Sequence, residues 1–319
     1  MLRNWVRTLA MKTGLRARPH FLILGAQKAG TSALFDYLAR HPRLVCAREK
    51  EVGYFTPEIA RMWSGHPHSA VLARLDGAHE DWRLRRRAEN WYASLFPVPR
   101  PWRSDLFFEA TPEYLHFPQA AARIRSFRPE MKLVAILRDP VERAYSAWKM
   151  YHNFTGPDLA ALRDPRSFEQ AMLDELEGRD APGTPPGADY LARGIYHAQL
   201  RRYLEVFPAE QVLIVENGEL ASAQGHTLNR VCRFLGVPEF GRWTDQARVL
   251  AGPDETPMSS EIRTRLARFF APHNALLFAM IGRRFAWTEA LADEQTHPVL
   301  EKNSGWGGSD ARQRRVAST

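Results

Sequence analysis

The chain has 319 residues, 45% hydrophobic and 25% charged, which is enough apolar material for a substantial core and excludes a compositionally disordered protein. Its 44 Lys and Arg outweigh 36 Asp and Glu, and the formal charge of +8 favours anionic partners such as nucleic acid, a membrane surface or a polyanionic small molecule. The two cysteines, Cys46 and Cys232, form no C-x-x-C and stand near no histidine cluster, which excludes a disulfide scaffold and a thiolate zinc site and leads us to expect a reducing compartment, while the lack of a signal or spanning segment leads us to expect a cytoplasmic setting.

Residues 1–19 are basic and mildly amphipathic and are expected to form an N-terminal arm. No run of about 18 apolar residues occurs, so no integral membrane segment is expected. Phe21-Leu22-Ile23-Leu24 is too short for a signal-peptide core and runs directly into Gly25-Ala26-Gln27-Lys28-Ala29-Gly30-Thr31-Ser32. The segment reads as strand, loop and helix, with Leu34, Phe35 and Leu38 at helical spacing. Such a loop suits a phosphate: glycine lets the backbone approach, the first helical amides lack internal partners, and the dipole favours negative charge there. Lys28, inside the loop, is one of only six lysines in an arginine-rich chain.

Further along, Arg43 to Cys46 reads as a short strand, and Ile59 to Tyr92 as helical, carrying the run Arg83-Leu84-Arg85-Arg86-Arg87. Lys132 to Leu137 is a continuous apolar strand of the kind covered on both faces. It ends at Arg138-Asp139-Pro140, where the proline suits the first turn of a helix through Tyr145 and Trp148. Residues 154–189 are rich in Pro and Gly and read as a loop region, either an acceptor lid or a surface connection. Tyr190 to Val206 reads as a helix, Val212 to Val215 as a strand, and Leu228 to Leu235 and Glu261 to Ile281 as helices, followed by a polar tail over 293–319. This alternation predicts an α/β protein: a P-loop-like three-layer fold with a mostly parallel central sheet and helices on both faces, its single domain spanning 20–292.

The first loop differs from a Walker A site, in which the lysine follows the second glycine and precedes a magnesium-binding Ser or Thr. Here Lys28 precedes Gly30, and the later strand leads into Arg138 instead of an acidic residue, a positive charge suited to a phosphate bound directly by protein.

At these residues the chain resembles the sulfotransferases that use 3′-phosphoadenosine 5′-phosphosulfate. Gly25 to Leu34 is similar to that family's loop for the 5′-phosphosulfate, and Leu137-Arg138-Asp139-Pro140-Val141-Glu142-Arg143-Ala144-Tyr145-Ser146-Ala147-Trp148 to its 3′-phosphate motif. Glu49-Lys50-Glu51-Val52-Gly53-Tyr54-Phe55 resembles the segment bearing the catalytic glutamate in the heparan-type, carbohydrate-modifying branch. Phe108-Glu109-Ala110-Thr111-Pro112-Glu113-Tyr114 resembles another motif of that branch, with Ala110 where its lysine stands and Lys50 as a candidate replacement. Arg248-Val249-Leu250-Ala251-Gly252-Pro253 is the nearest candidate for the branch's lid, and a poor fit.

The resemblance implies sulfuryl transfer to a hydroxyl or amine of an acceptor, a carbohydrate or other small molecule, with no nucleic acid as partner and no metal. Lys28 would neutralise the leaving oxygen, the amides from Ala29 through Gly30 to Ser32 and the hydroxyls of Thr31 and Ser32 would hold the 5′-phosphate, and Arg138 and Ser146 the 3′-phosphate. Glu51 would be the base. Plainer roles stand beside these: a solvated Lys28, helix capping by Thr31 and Ser32, an Arg138 pair with Glu142, a Glu51 pair with Lys50, and a structural Arg143. The alternatives are a small phenol or alcohol acceptor with His116 or His152 as base, a magnesium-dependent kinase-like enzyme, and a noncatalytic anion-binding protein. Tyr196, and the aromatics Trp91, Tyr92 and Trp102, are candidates for ligand stacking or for core. Oligomeric state is left open.

Overall fold

The computed structural model describes residues 17–287 apart from 64, 76–81, 101, 180, 182 and 244–257. The candidate lid at 248–253, most of the N-terminal arm and the polar tail lie outside the described residues. Five strands form the sheet: β1 (Phe21–Gly25), β2 (Leu44–Cys46), β3 (Leu106–Ala110), β4 (Lys132–Leu137) and β5 (Val212–Glu216). They are ordered β2-β3-β1-β4-β5, and every pairing is parallel.

Side-chain alternation separates the two faces of this sheet. Leu22 and Leu24 of β1 and Leu133, Ala135 and Leu137 of β4 enter one apolar cluster, while Phe21, Ile23, Val134 and Ile136 enter another. Because both faces are covered, β1 and β4 are apolar along nearly their whole length. Helices α1 (Thr31–Leu38) and α11 (Gln224–Leu235) cover the second face through Leu34, Leu38, Leu228 and Val231. The first face is covered by α4 (Trp82–Ser94), α6 (Ala120–Phe127) and α9 (Tyr196–Leu204), through Tyr92, Ile124 and Leu200. A third cluster joins α7 (Pro140–His152), α8 (Phe168–Leu176) and α12 (Ser260–Ile281), with Ala144, Phe168 and Phe270 at its centre.

Three elements differ from the expectation. The stretch from Ile59 to Tyr92 is not one helix: α2 (Ile59–Met62) and α3 (Ser69–Leu75) precede α4, and Pro67 lies in the break between the first two. The Pro/Gly-rich region 154–189 contains α8, whose first turn is capped by Ser167 accepting from the Gln170 amide at 3.1 Å. The sequence pattern does not predict β3, although its Leu106-Phe107-Phe108 is apolar and runs into the motif Phe108 to Tyr114 and the short α5 (Glu113–His116). Completing the chain order, α10 (Asn217–Ser222) follows β5 directly. No described helix is long and apolar enough to cross a membrane.

β1 leads through α1 toward β2 on one side of the sheet, whereas the chain after β4 leads to β5 on the other. The carboxyl ends of β1 and β4 therefore flank the point where the winding reverses, where a doubly wound sheet leaves its crevice.

Phe108 locks β3 to this centre, stacking on Phe21 with 4.7 Å between ring centroids and packing against Phe35 at 5.3 Å. Phe108→Ala is expected to cost about 3–5 kcal/mol of stability, read from urea unfolding. A loss under 1 kcal/mol would show that the aromatic contact does not hold the sheet.

Candidate functional site

A cleft of about 800 Å³ opens at this reversal point. Of the eight residues singled out from sequence, Lys28, Gly30, Thr31, Ser32, Glu51, Arg138 and Ser146 line it. Ala29 is the exception: it is buried, and its amide donates to Ala26 O within the loop at 3.1 Å, so it shapes the loop instead of facing a ligand.

The loop is pinned to the sheet where the Ala26 amide donates to Ile136 O of β4 at 2.7 Å. Lys28 and Gly30 then adopt φ of 64° and 99°, turning the chain sharply into α1. At Gly30 a Cβ would come within 2.6 Å of Asn217 Nδ2, which itself donates to Ala29 O at 2.9 Å. At Gly25, φ 139°, a Cβ would meet Pro112 O at 2.6 Å. Both glycines are thus required by close approach as well as by backbone angle. The start of α1 carries no side-chain cap, which leaves the Thr31, Ser32 and Ala33 amides, all on the cleft lining, without intrahelical partners.

Positive charge is concentrated here and incompletely neutralised. Burial holds the Lys28 ammonium below its ordinary range, and the Arg138 charge adds to the effect, with Lys149 and Lys50 acting in the same direction and Glu51 opposing. Arg138 donates to Lys28 O at 3.3 Å, and Tyr196 Oη donates to Arg138 O at 2.9 Å, fixing the turn. The expected pair between Arg138 and Glu142 is long, 3.8 Å, because Arg263 holds the same carboxylate at 2.5 Å. Asp139 caps α7 by accepting from the Val141 amide at 2.8 Å, and this turn brings Arg138 and Ser146 to one cleft. Arg143 points elsewhere, buried and donating to Tyr190 O, so its role is structural.

Glu51 has φ 61°, donates its amide to Ala110 O at 2.9 Å and is half-buried, with Lys50 Nζ at 2.6 Å from Oε1. Lys50 therefore sits on Glu51 and does not line the cleft. The loop is tied down again at Gly53, whose amide donates to Thr111 Oγ1 at 3.2 Å. Thr111 in turn donates to Glu109 at 2.8 Å, and Tyr92 and Tyr114 donate to the other carboxyl oxygen at 2.9 and 2.7 Å. Desolvation pushes the buried Glu109 carboxyl up to about 7, against the pull of these three hydroxyls.

Neither candidate histidine lines the cleft. His116 is pushed down to about 4 by burial and faces Asp189 at 3.4 Å, and His152 stacks on Trp148 with its Nδ1 2.9 Å from Asp164 O. Tyr196 and Tyr92 are core, Trp91 packs beside His68, Trp102 is exposed, and Arg83, Arg85, Arg86 and Arg87 form a solvated helix face.

Sequence reasoning missed Lys149, Glu113, Arg193, Gln27 and Trp63 on the lining. Lys149 was within reach, lying three residues beyond Ser146 on one helix face. Glu113 is buried, and burial first, then the Glu51 charge, raises its carboxyl. Arg193 stands in Arg193-Gly194-Ile195-Tyr196, a segment similar to the family's in which attention falls on Tyr196, whereas Trp63 reaches the site by packing alone.

Residues 19–244 match the profile of the sulfotransferase family. Bifunctional heparan sulfate N-deacetylase/N-sulfotransferase 4 from Mus musculus is 28% identical over 291 residues, which cover 83% of this chain and 30% of that protein. Bifunctional heparan sulfate N-deacetylase/N-sulfotransferase 3 from Homo sapiens is 28% identical over 288 residues, with the same shares covered. The chain thus spans 30% of the length of these curated relatives. The crystal structure of a sulfotransferase from Alicyclobacillus acidocaldarius superposes with a TM-score of 0.61 at 31% identity, covering 85% of this chain and 98% of that one.

The Glu109 network generates a pH dependence. Glu109 and Glu175, both raised by burial to about 7 from 4.5, hold protons that the unfolded chain has released, so they add stability below pH 4.5 that is lost as pH rises to 7. His20 and His116, lowered by burial from 6.5 to about 4, add stability above 6.5 that is lost as pH falls toward 4. Glu109→Gln should remove one proton's share of the dependence, roughly 1.4 kcal/mol per pH unit, from urea-unfolding free energies between pH 5 and 7. Parallel curves for variant and wild type would show that Glu109 does not titrate there.

Proposed function

This chain belongs to the sulfotransferase family, and from that premise we propose that it moves the sulfuryl group of 3′-phosphoadenosine 5′-phosphosulfate to a hydroxyl or amine of a carbohydrate acceptor, with Glu51 as base. One observation carries this reading: the half-buried Lys28 and Arg138 charges, an uncapped helix start and a carboxylate, Glu51, all line one cleft. Relatives named for heparan sulfate N-sulfation support the carbohydrate acceptor.

The residues fit such a donor. A bound anion would relieve the repulsion between Lys28 and Arg138, and Gly30 lets it approach the backbone, where the Thr31 and Ser32 amides and hydroxyls would hold the 5′-phosphate. Arg138 and Ser146 would hold the 3′-phosphate. The donor supplies an activated sulfur. The acceptor oxygen or nitrogen bonds to it as its bond to the bridging oxygen breaks. Lys28 neutralises the charge developing on that oxygen, and Glu51 takes the acceptor proton. The protein's own cations supply the countercharge, so the reading requires no metal. A histidine base and a magnesium-dependent kinase-like chemistry find less support, because His116 and His152 are off the cleft and β4 leads into Arg138 instead of an acidic residue.

Adenosine 3′,5′-bisphosphate at a hundred times its Kd should stabilise the chain by about 2.7 kcal/mol, whereas adenosine 5′-monophosphate and magnesium ATP at equal concentration should do less. Lys28→Met should shrink this shift. Glu51→Gln should keep it and lower turnover about 10²–10⁴-fold. Retained turnover in Glu51→Gln, with loss in His116→Ala or His152→Ala, would reassign the base, and a shift with magnesium ATP alone would reject the donor.

A further inference from the structure

The cleft changes character along its length. Lys28, Arg138 and Lys149 supply the cations around α1 and α7. The same cleft has an apolar part: Met62 and Trp63 at the end of α2, Phe154 just past α7, Leu159 and Leu162 on the 3₁₀ turn Pro157–Leu162, and Pro186. These segments meet: Tyr151 Oη donates to Gly187 O at 3.4 Å, a Cβ at Gly187 would strike the Met62 methyl, and Tyr151 packs on Phe154 with 5.5 Å between rings.

Within this region four buried side-chain atoms have no hydrogen-bond partner: Gln27 Oε1, Trp63 Nε1, Glu113 Oε2 and Arg193 Nη1. All four residues line the cleft. Buried polar atoms are nearly always paired, and four of the eleven unpaired ones among the described residues belong to residues of this one cleft, where ligand groups would complete them. An indole N–H and a guanidinium N–H offer donors, and an amide oxygen offers an acceptor. Glu113, its carboxyl raised by burial and by Glu51, can present either. Hydroxyls, which both donate and accept, match that mixture.

A polyanionic chain does not match these four. Arg193 is the one cation among the four orphans and lies 4.0 Å from Glu113, while the exposed arginines of α4 are not on the cleft. Resting on the function proposed above, we infer that the acceptor is amphipathic: a sugar-type polar head held by Gln27, Trp63, Glu113 and Arg193, carrying an alkyl or acyl chain that lies along Phe154, Leu159 and Leu162.

The test is calorimetric titration of the full chain, saturated with adenosine 3′,5′-bisphosphate, with octyl β-glucoside below its micellar concentration, methyl β-glucoside, and an unsulfated heparosan oligosaccharide. Each buried methylene contributes about fourfold in affinity, so octyl β-glucoside should bind at least tenfold more tightly than methyl β-glucoside. Phe154→Ser should reduce that ratio several-fold, and Trp63→Phe, which keeps a ring but removes the N–H, should weaken both glucosides. Equal affinities, no binding of octyl β-glucoside, or tighter binding of the heparosan oligosaccharide would overturn the inference. Failure to bind the bisphosphate itself would instead overturn the donor assignment beneath it.

Discussion

Two like charges, Lys28 and Arg138, stand beside each other in a half-buried cleft, and much of the surrounding structure serves to keep them there. Arg138 is held through its own carbonyl by Tyr196 and reaches back to the Lys28 carbonyl. The Lys28 loop is pinned to β4 through Ala26 and to α10 through Asn217. Glu142 is held closely by Arg263 at 2.5 Å and only at 3.8 Å by Arg138, and Asp139 is engaged in capping α7. Burial depresses the Lys28 ammonium first and the Arg138 charge adds to it, a repulsion that an anion in the cleft would relieve.

The sheet determines where that tension sits. Parallel strands bring the ends of β1 and β4 side by side, and the reversal of winding between them leaves space that no crossover helix fills. The same arrangement lets β3, on the other side of β1, carry the loop of Glu51. Ala110 and Thr111 at its carboxyl end take the amides of Glu51 and Gly53, and the buried Glu109 sets the direction of the Thr111 hydroxyl. A carboxyl in the core is thereby linked through two hydrogen bonds to the Gly53 amide, two residues beyond the base candidate.

Legibility in the sequence followed the range of the interactions. β1 and β4 were readable because both faces are buried and the strands are continuous apolar runs, β5 because its Val212 to Val215 is apolar although this edge strand is only partly buried, and the phosphate loop because its lysine, glycines and hydroxyls act within a few residues of one another. Arg138 and Ser146 were readable because one helix turn joins them. The break at Pro67, the helix α8 and the strand β3 were not, since Pro/Gly content or shortness hid them. His116, His152 and Tyr92 carried chemically suggestive side chains, yet packing turned each away from the cleft.

Local composition alone determined the α/β alternation, the anion loop and the two motifs, because helix starts, glycine turns and apolar runs express their physics over a few neighbouring residues. Tertiary structure alone decided that Ala29 turns inward, that Glu142 is shared between Arg263 and Arg138, and that Trp63, Glu113 and Arg193 line one cleft with Glu51. Those outcomes depend on which distant segments share a buried volume, and the charge balance and unpaired atoms of a cleft exist only once β1, β3 and β4 have been laid side by side.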